Sequence, residues 1–138
     1  KAATIADPVE RLALIVSSIS IGTASLDDIG PVPAPHTGHQ RSAALSREHL
    51  RLADSRPREL QAALAPLLAL IAEQLRDGMA AGVVRQCDAA IQASLIYNLV
   101  STTVHTELLA DETVWPDRER RLLLAGEIWE FCRRAIAA

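Results

Sequence analysis

The residues best placed to do chemistry lie in one segment, Ser94 to His105. Ser94, Asn98, Ser101 and His105 follow one another at spacings of four, three and four, which on an α-helix makes one polar line. Tyr97 and Thr102 flank that line, and aliphatic residues border it on both sides. Polar groups set among apolar walls must find hydrogen-bond partners, and a small ligand is one way to supply them. Met79, with a flexible and polarisable side chain, suits an adaptable wall of the same pocket. The ligand-binding residues expected are therefore Met79, Ser94, Tyr97, Asn98, Ser101, Thr102 and His105. The alternative is that the polar line marks the least buried edge of a helix or bonds across a dimer.

Catalytic signatures are missing. No glutamate begins an E-x-x-H, so a di-iron bundle is not indicated, and no G-x-S-x-G, phosphate-binding loop or H-E-x-x-H occurs. His36 and His39 form H-x-x-H without a third ligand nearby, a pattern more typical of solvated loop histidines than of a metal site. Glu73 and Asp77 share a helical face with Arg76 close by, and Arg118, Arg120 and Arg121 interleave with Asp117 and Glu119; both read as solvated, salt-bridged surface. Cys87 and Cys132 are isolated and read as small apolar residues in a reducing compartment. The expectation is a protein that is not an enzyme and uses neither metal nor cofactor.

The elements that position these residues are helical. Across 138 residues, the length of one domain, aromatics make up only 3%, and Ala and Leu dominate over the β-branched residues that strands favour. Asp7 and Pro8 open a first helix with Leu12, Ile15, Val16 and Ile19 on one face, running to about Ser25; Glu10 is placed to complete a capping box. Prolines at 31, 33 and 35 then make Leu26 to Gly38 an extended loop. A second helix fits Gln40 to Ala53. Pro57 opens a long third helix to about Ala81, with its apolar stripe from Leu60 to Met79 interrupted, and expected to bend, at Pro66. Gly82 reads as its C-cap. Asp88 caps a fourth helix to about Leu109, and Pro116 starts a fifth that runs nearly to Ala138.

The last two helices are apolar on two faces, and both faces must be buried. A second copy related by twofold symmetry is the expected cover, through Val104, Leu108, Leu122, Ala125, Gly126 and Trp129. A pocket is expected between the helices at about 7–25, 57–81 and 88–109. The net charge of −3, from 14 Lys and Arg against 17 Asp and Glu, argues against a phosphate-gripping surface. No run reaches the roughly 20 apolar residues of a membrane span, and no signal peptide is evident, so a cytoplasmic location is expected. The chain begins at Lys1 and its only methionine is Met79, so an upstream segment is expected to have been removed or to be absent.

From Leu60 to Leu109 the chain resembles the carboxy-terminal regulatory domain of the tetracycline-repressor (TetR) family. The resemblance rests on R-D-G-M-A-A-G-V-V-R (Arg76 to Arg85), the capping Asp88 and A-x-L-I-x-x-L-V (Ala93 to Val100). Asp7-Pro8 with Leu12 is similar to the helix that opens that domain, and Trp129 and Phe131 before Arg133-Arg134-Ala135 resemble its closing dimer helix. Ser101 departs from the small residue, often glycine, usual in the middle of the fourth helix. The resemblance implies an all-α regulatory domain whose last two helices pair in a four-helix dimer interface, and a small, largely apolar effector that controls DNA affinity. DNA binding would belong to an amino-terminal helix-turn-helix outside this chain. The competing expectation is a helical dimerisation or partner-binding module without an effector.

Overall fold

Asp7 starts the first helix as its spacing predicts: its Oδ1 accepts a hydrogen bond from the Val9 N–H at 2.8 Å, satisfying a donor that the helix itself leaves unpaired. The computed structural model describes residues 6–21, 47–110 and 118–138, with the side chains of 21, 108–110 and 118 excepted. The described residues form an all-α fold of five helices: α1 (Pro8–Ile21), α2 (47–55), α3 (Pro57–Ala80), α4 (Ala89–Ala110) and α5 (Arg118–Ile136). The loop from Leu26 to Gly38 with His36 and His39, the first part of the expected second helix and the expected start of the fifth at Pro116 lie outside the described residues.

The long helix α3 continues through Pro66 to Ala80. Gly82, at φ +74°, then takes the left-handed conformation that ends it. The Val83 N–H bonds to the Gly78 carbonyl and the Gly82 N–H to that of Met79, so two terminal carbonyls gain partners in a Schellman arrangement. Asp88 caps α4 twice, its Oδ1 accepting from the Ala90 and Ile91 N–H groups, each at 3.0 Å.

Helix α1 is the hub, packing against α3, α4 and α5, while α3 also packs along α4. Leu12 and Val16 of α1 meet Ile71 and Leu75 of α3, Val100 of α4 and Cys132 and Ile136 of α5 in one fully buried cluster. Burying each such side chain contributes about 1.5–3 kcal/mol, which explains why α1 with its narrow apolar stripe holds the bundle together.

The turn between α3 and α4 clamps the end of α5. The Arg85 N–H bonds to the Ile136 carbonyl at 2.9 Å, and the Arg85 Nε–H to that of Ala135 at 2.8 Å. Val84 and Ala137 form an isolated antiparallel bridge. These contacts place a cation and donors where the last turn of α5 leaves unpaired carbonyls and partial negative charge. Among the described residues, no helix is long and apolar enough to cross a membrane.

Candidate functional site

Helix α4 faces two environments. Its inward side, Ala93, Ile96, Tyr97, Val100 and Ser101, is buried against α1 and α3. Its outward side presents Ile91, Leu95 and Leu99 with Asn98 and Thr102, a strip without a charged side chain.

The polar line expected from sequence is divided by this arrangement. Tyr97 and Ser101 are each only 7% exposed, with Ser101 close enough to act on the Tyr97 hydroxyl. His105 is half-buried on the same edge, and Ser94 is half-buried a turn earlier. Asn98 and Thr102 are exposed to solvent, on the outer side of that edge. The reason is geometric: successive steps of four and three swing about 40° and −60° around a helix axis, so the line straddles the boundary between inside and outside. Met79 stands apart, at the carboxy-terminal end of α3, where its sulfur accepts from the Cys87 N–H at 3.3 Å. His105 lies about 24 Å along the axis from the start of α4, at the other end of the bundle.

One residue joins the site that spacing along the chain did not point to. His49 of α2 brings its ring to 4.7 Å from that of His105 and 6.4 Å from that of Tyr97, centre to centre. Nothing in the sequence links His49 to His105, because their meeting depends on how α2 lies across α4. Burial, and then the charge of His49, hold the His105 imidazolium below the ordinary histidine range. Burial pushes the Tyr97 hydroxyl up, with Ser101 acting against it. At neutral pH the cluster therefore offers a phenol, a hydroxyl and an uncharged His105 ring, donors and acceptors suited to a neutral polar group. Among the described residues, no group of three side chains is arranged to hold a metal ion.

Between α1, α3 and α4 the side chains of Leu12, Val16, Ile71, Leu75 and Val100 are fully buried. An open groove of about 490 Å³ lies between α4 and α5, along Leu99, Glu127, Ile128, Glu130, Phe131 and Arg134. At its rim Glu130 accepts hydrogen bonds from Arg133 (2.8 and 2.9 Å) and Arg134 (2.7 Å), which hold its carboxyl down at about 2.

The residues expected at a dimer interface also divide. Ala125 is buried within the chain's own core, and Val104 and Trp129 pack half-buried against it. Leu122 and Gly126 are exposed, with open space where a Cβ at Gly126 would project. The Leu108 side chain lies outside the described residues. Among the described residues, the large apolar side chains that reach solvent on these helices are Ile91, Leu95, Leu99, Leu122, Leu123 and Phe131.

No protein-family model, curated protein or solved structure matches this chain.

Proposed function

We propose that this chain is the effector-binding and dimerisation part of a one-component transcriptional regulator of the TetR kind, working in the cytoplasm without catalysis. The observation that carries the reading is the double character of α4, whose polar edge at Tyr97, Ser101 and His105 lies inward of an uncharged apolar strip at Ile91, Leu95 and Leu99. The strip is suited to a second copy, because a row of exposed aliphatic side chains beside Phe131 leaves apolar surface in water that a twofold partner would cover. The inner edge is suited to a small, largely apolar effector carrying one or two polar groups.

An effector seated against α4 acts on whatever α4 holds together. If it favours one spacing of two amino-terminal DNA-reading heads, it shifts the population toward that spacing by its differential affinity. DNA contact belongs to a helix-turn-helix outside this chain, since the acidic balance supplies few cations for phosphates.

The test has two arms. Sedimentation at micromolar concentration is expected to give a dimer. A thermal-shift screen of small apolar carbonyl and hydroxyl compounds is expected to yield a stabiliser whose effect is lost in Tyr97→Phe or Ser101→Val; at a hundredfold excess over its dissociation constant it contributes about 2.7 kcal/mol. A monomer with no stabiliser rejects the reading. The outward position of Asn98 and Thr102 favours a second reading, a dimerisation module without an effector, which a dimer with no stabiliser would support.

A further inference from the structure

We propose that α5 pairs antiparallel with α5 of a second copy about a twofold axis beside Phe131, joined by two reciprocal ion pairs between Glu127 and Arg134. Glu127, Phe131, Arg134 and Ala138 are all exposed and follow one another at steps of four, three and four. Those steps keep the four within about 60° of one another around α5, the kind of seam that one helix offers to another. The seam reads acid, aromatic, base and small residue, with Phe131 62% exposed at its centre.

The order of the charges selects the direction. Two parallel copies set Glu127 beside Glu127 and Arg134 beside Arg134, and like charges so placed repel. An antiparallel pair whose axis passes by Phe131 brings together residues equally far on either side of that axis. Glu127 then meets the partner's Arg134, and the exposed Leu123 lies level with the partner's Ala138. The Arg134 side chain is 76% exposed and gives its Nε–H to Glu130 at 2.7 Å, which leaves its two terminal amino groups for a carboxylate across the axis.

The shape of the face agrees with its charge. Phe131 borders the groove of about 490 Å³ between α4 and α5, whose apolar lining is Leu99, Ile128 and Phe131 itself. A projecting ring and an open groove side by side are self-complementary under a twofold axis: the partner's Phe131 enters the groove beside Leu99, and the exchange is mutual. The outward side of α4 continues the apolar surface through Leu95 and Ile91 without a charged side chain. This pairing rests on the dimerisation proposed above and specifies its register.

Charge exchange in the full chain, read by sedimentation equilibrium at low ionic strength, tests the register. Glu127→Arg and Arg134→Glu are each expected to raise the dissociation constant of the dimer by about tenfold, because each makes both ion pairs repulsive. The double variant carrying both changes in one chain is expected to recover the unaltered value, since every pair is reversed and none is lost. A parallel pair gains nothing from that exchange, so a double variant that associates no better than the single ones overturns the proposal. Should Arg134→Glu lose helicity, Arg134→Lys keeps the charge and permits a second measurement. Zero-length carbodiimide coupling of a mixture of isotope-labelled and unlabelled chains is expected to join the introduced lysine to Glu127 of the other chain. Coupling between chains that bypasses Glu127 overturns the proposal. A dimer indifferent to all the charge variants overturns this pairing and leaves the dimerisation standing; a monomeric unaltered chain leaves the seam to a different partner and overturns both.

Discussion

Val84 lies directly against Gly78: a Cβ at position 78 would overlap the Val84 side chain. The turn after α3 folds back onto its own helix there, and the absence of a side chain at 78 permits it. The same turn carries Arg85 to the end of α5, so a clash at 78 is felt at both ends of the clamp.

Gly78→Ala is expected to destabilise the fold by about 1–3 kcal/mol, even though alanine is the better helix former. Gly82→Ala costs about 1–2 kcal/mol for a different reason, the positive φ of +74°. Urea denaturation of the two variants checks both. Unchanged midpoints would mean that the turn relaxes freely.

The exposed face of α4 and α5 gives a second prediction. Leu95→Glu and Phe131→Glu are each expected to produce a monomer of unchanged helicity, because each sets a charge in the apolar strip. Gly126 lies about 140° around α5 from Phe131, so Gly126→Arg is expected to leave association intact. Light scattering across a concentration series separates the cases. Dissociation by Gly126→Arg but not by Phe131→Glu would move the interface to the face of Leu122 and Gly126.

Arg85→Ala removes the side-chain bond to the Ala135 carbonyl. It is expected to cost about 1 kcal/mol and to raise exchange at 133–138 ahead of the rest of α5. Exchange that rises evenly along α5 would show that the clamp is not local.

Glu130 titrates at about 2 because Arg133 and Arg134 donate to its carboxylate. A carboxyl lowered on folding contributes its stabilisation above the ordinary carboxylate range and loses it as pH falls toward about 2. Carboxyl NMR is expected to show the Glu130 midpoint rising toward the ordinary range in the double variant Arg133→Gln, Arg134→Gln. A midpoint that stays low would assign the shift to something other than these arginines.

Much of the architecture was legible from residue types, because the signals are local. Asp7, Gly82 and Asp88 act within a turn of where they stand, and capping geometry needs no knowledge of the rest of the chain. The spacing of Leu12 and Val16, and of Ile71 and Leu75, likewise marks the faces that end up inside.

That α4 has two apolar faces was also written in its sequence; which face turns inward was not. Ile96 and Val100 are no more apolar than Ile91, Leu95 and Leu99, yet the first pair is buried and the second set reaches solvent. The packing of α1 and α3 against α4 made that choice, and with it drew Val104, Ala125 and Trp129 toward the core and turned Asn98 and Thr102 outward. The meeting of His49 and His105 is of the same kind. Helical periodicity relates residues three or four apart, whereas the contact between two helices depends on their crossing, which only the assembled tertiary structure decides.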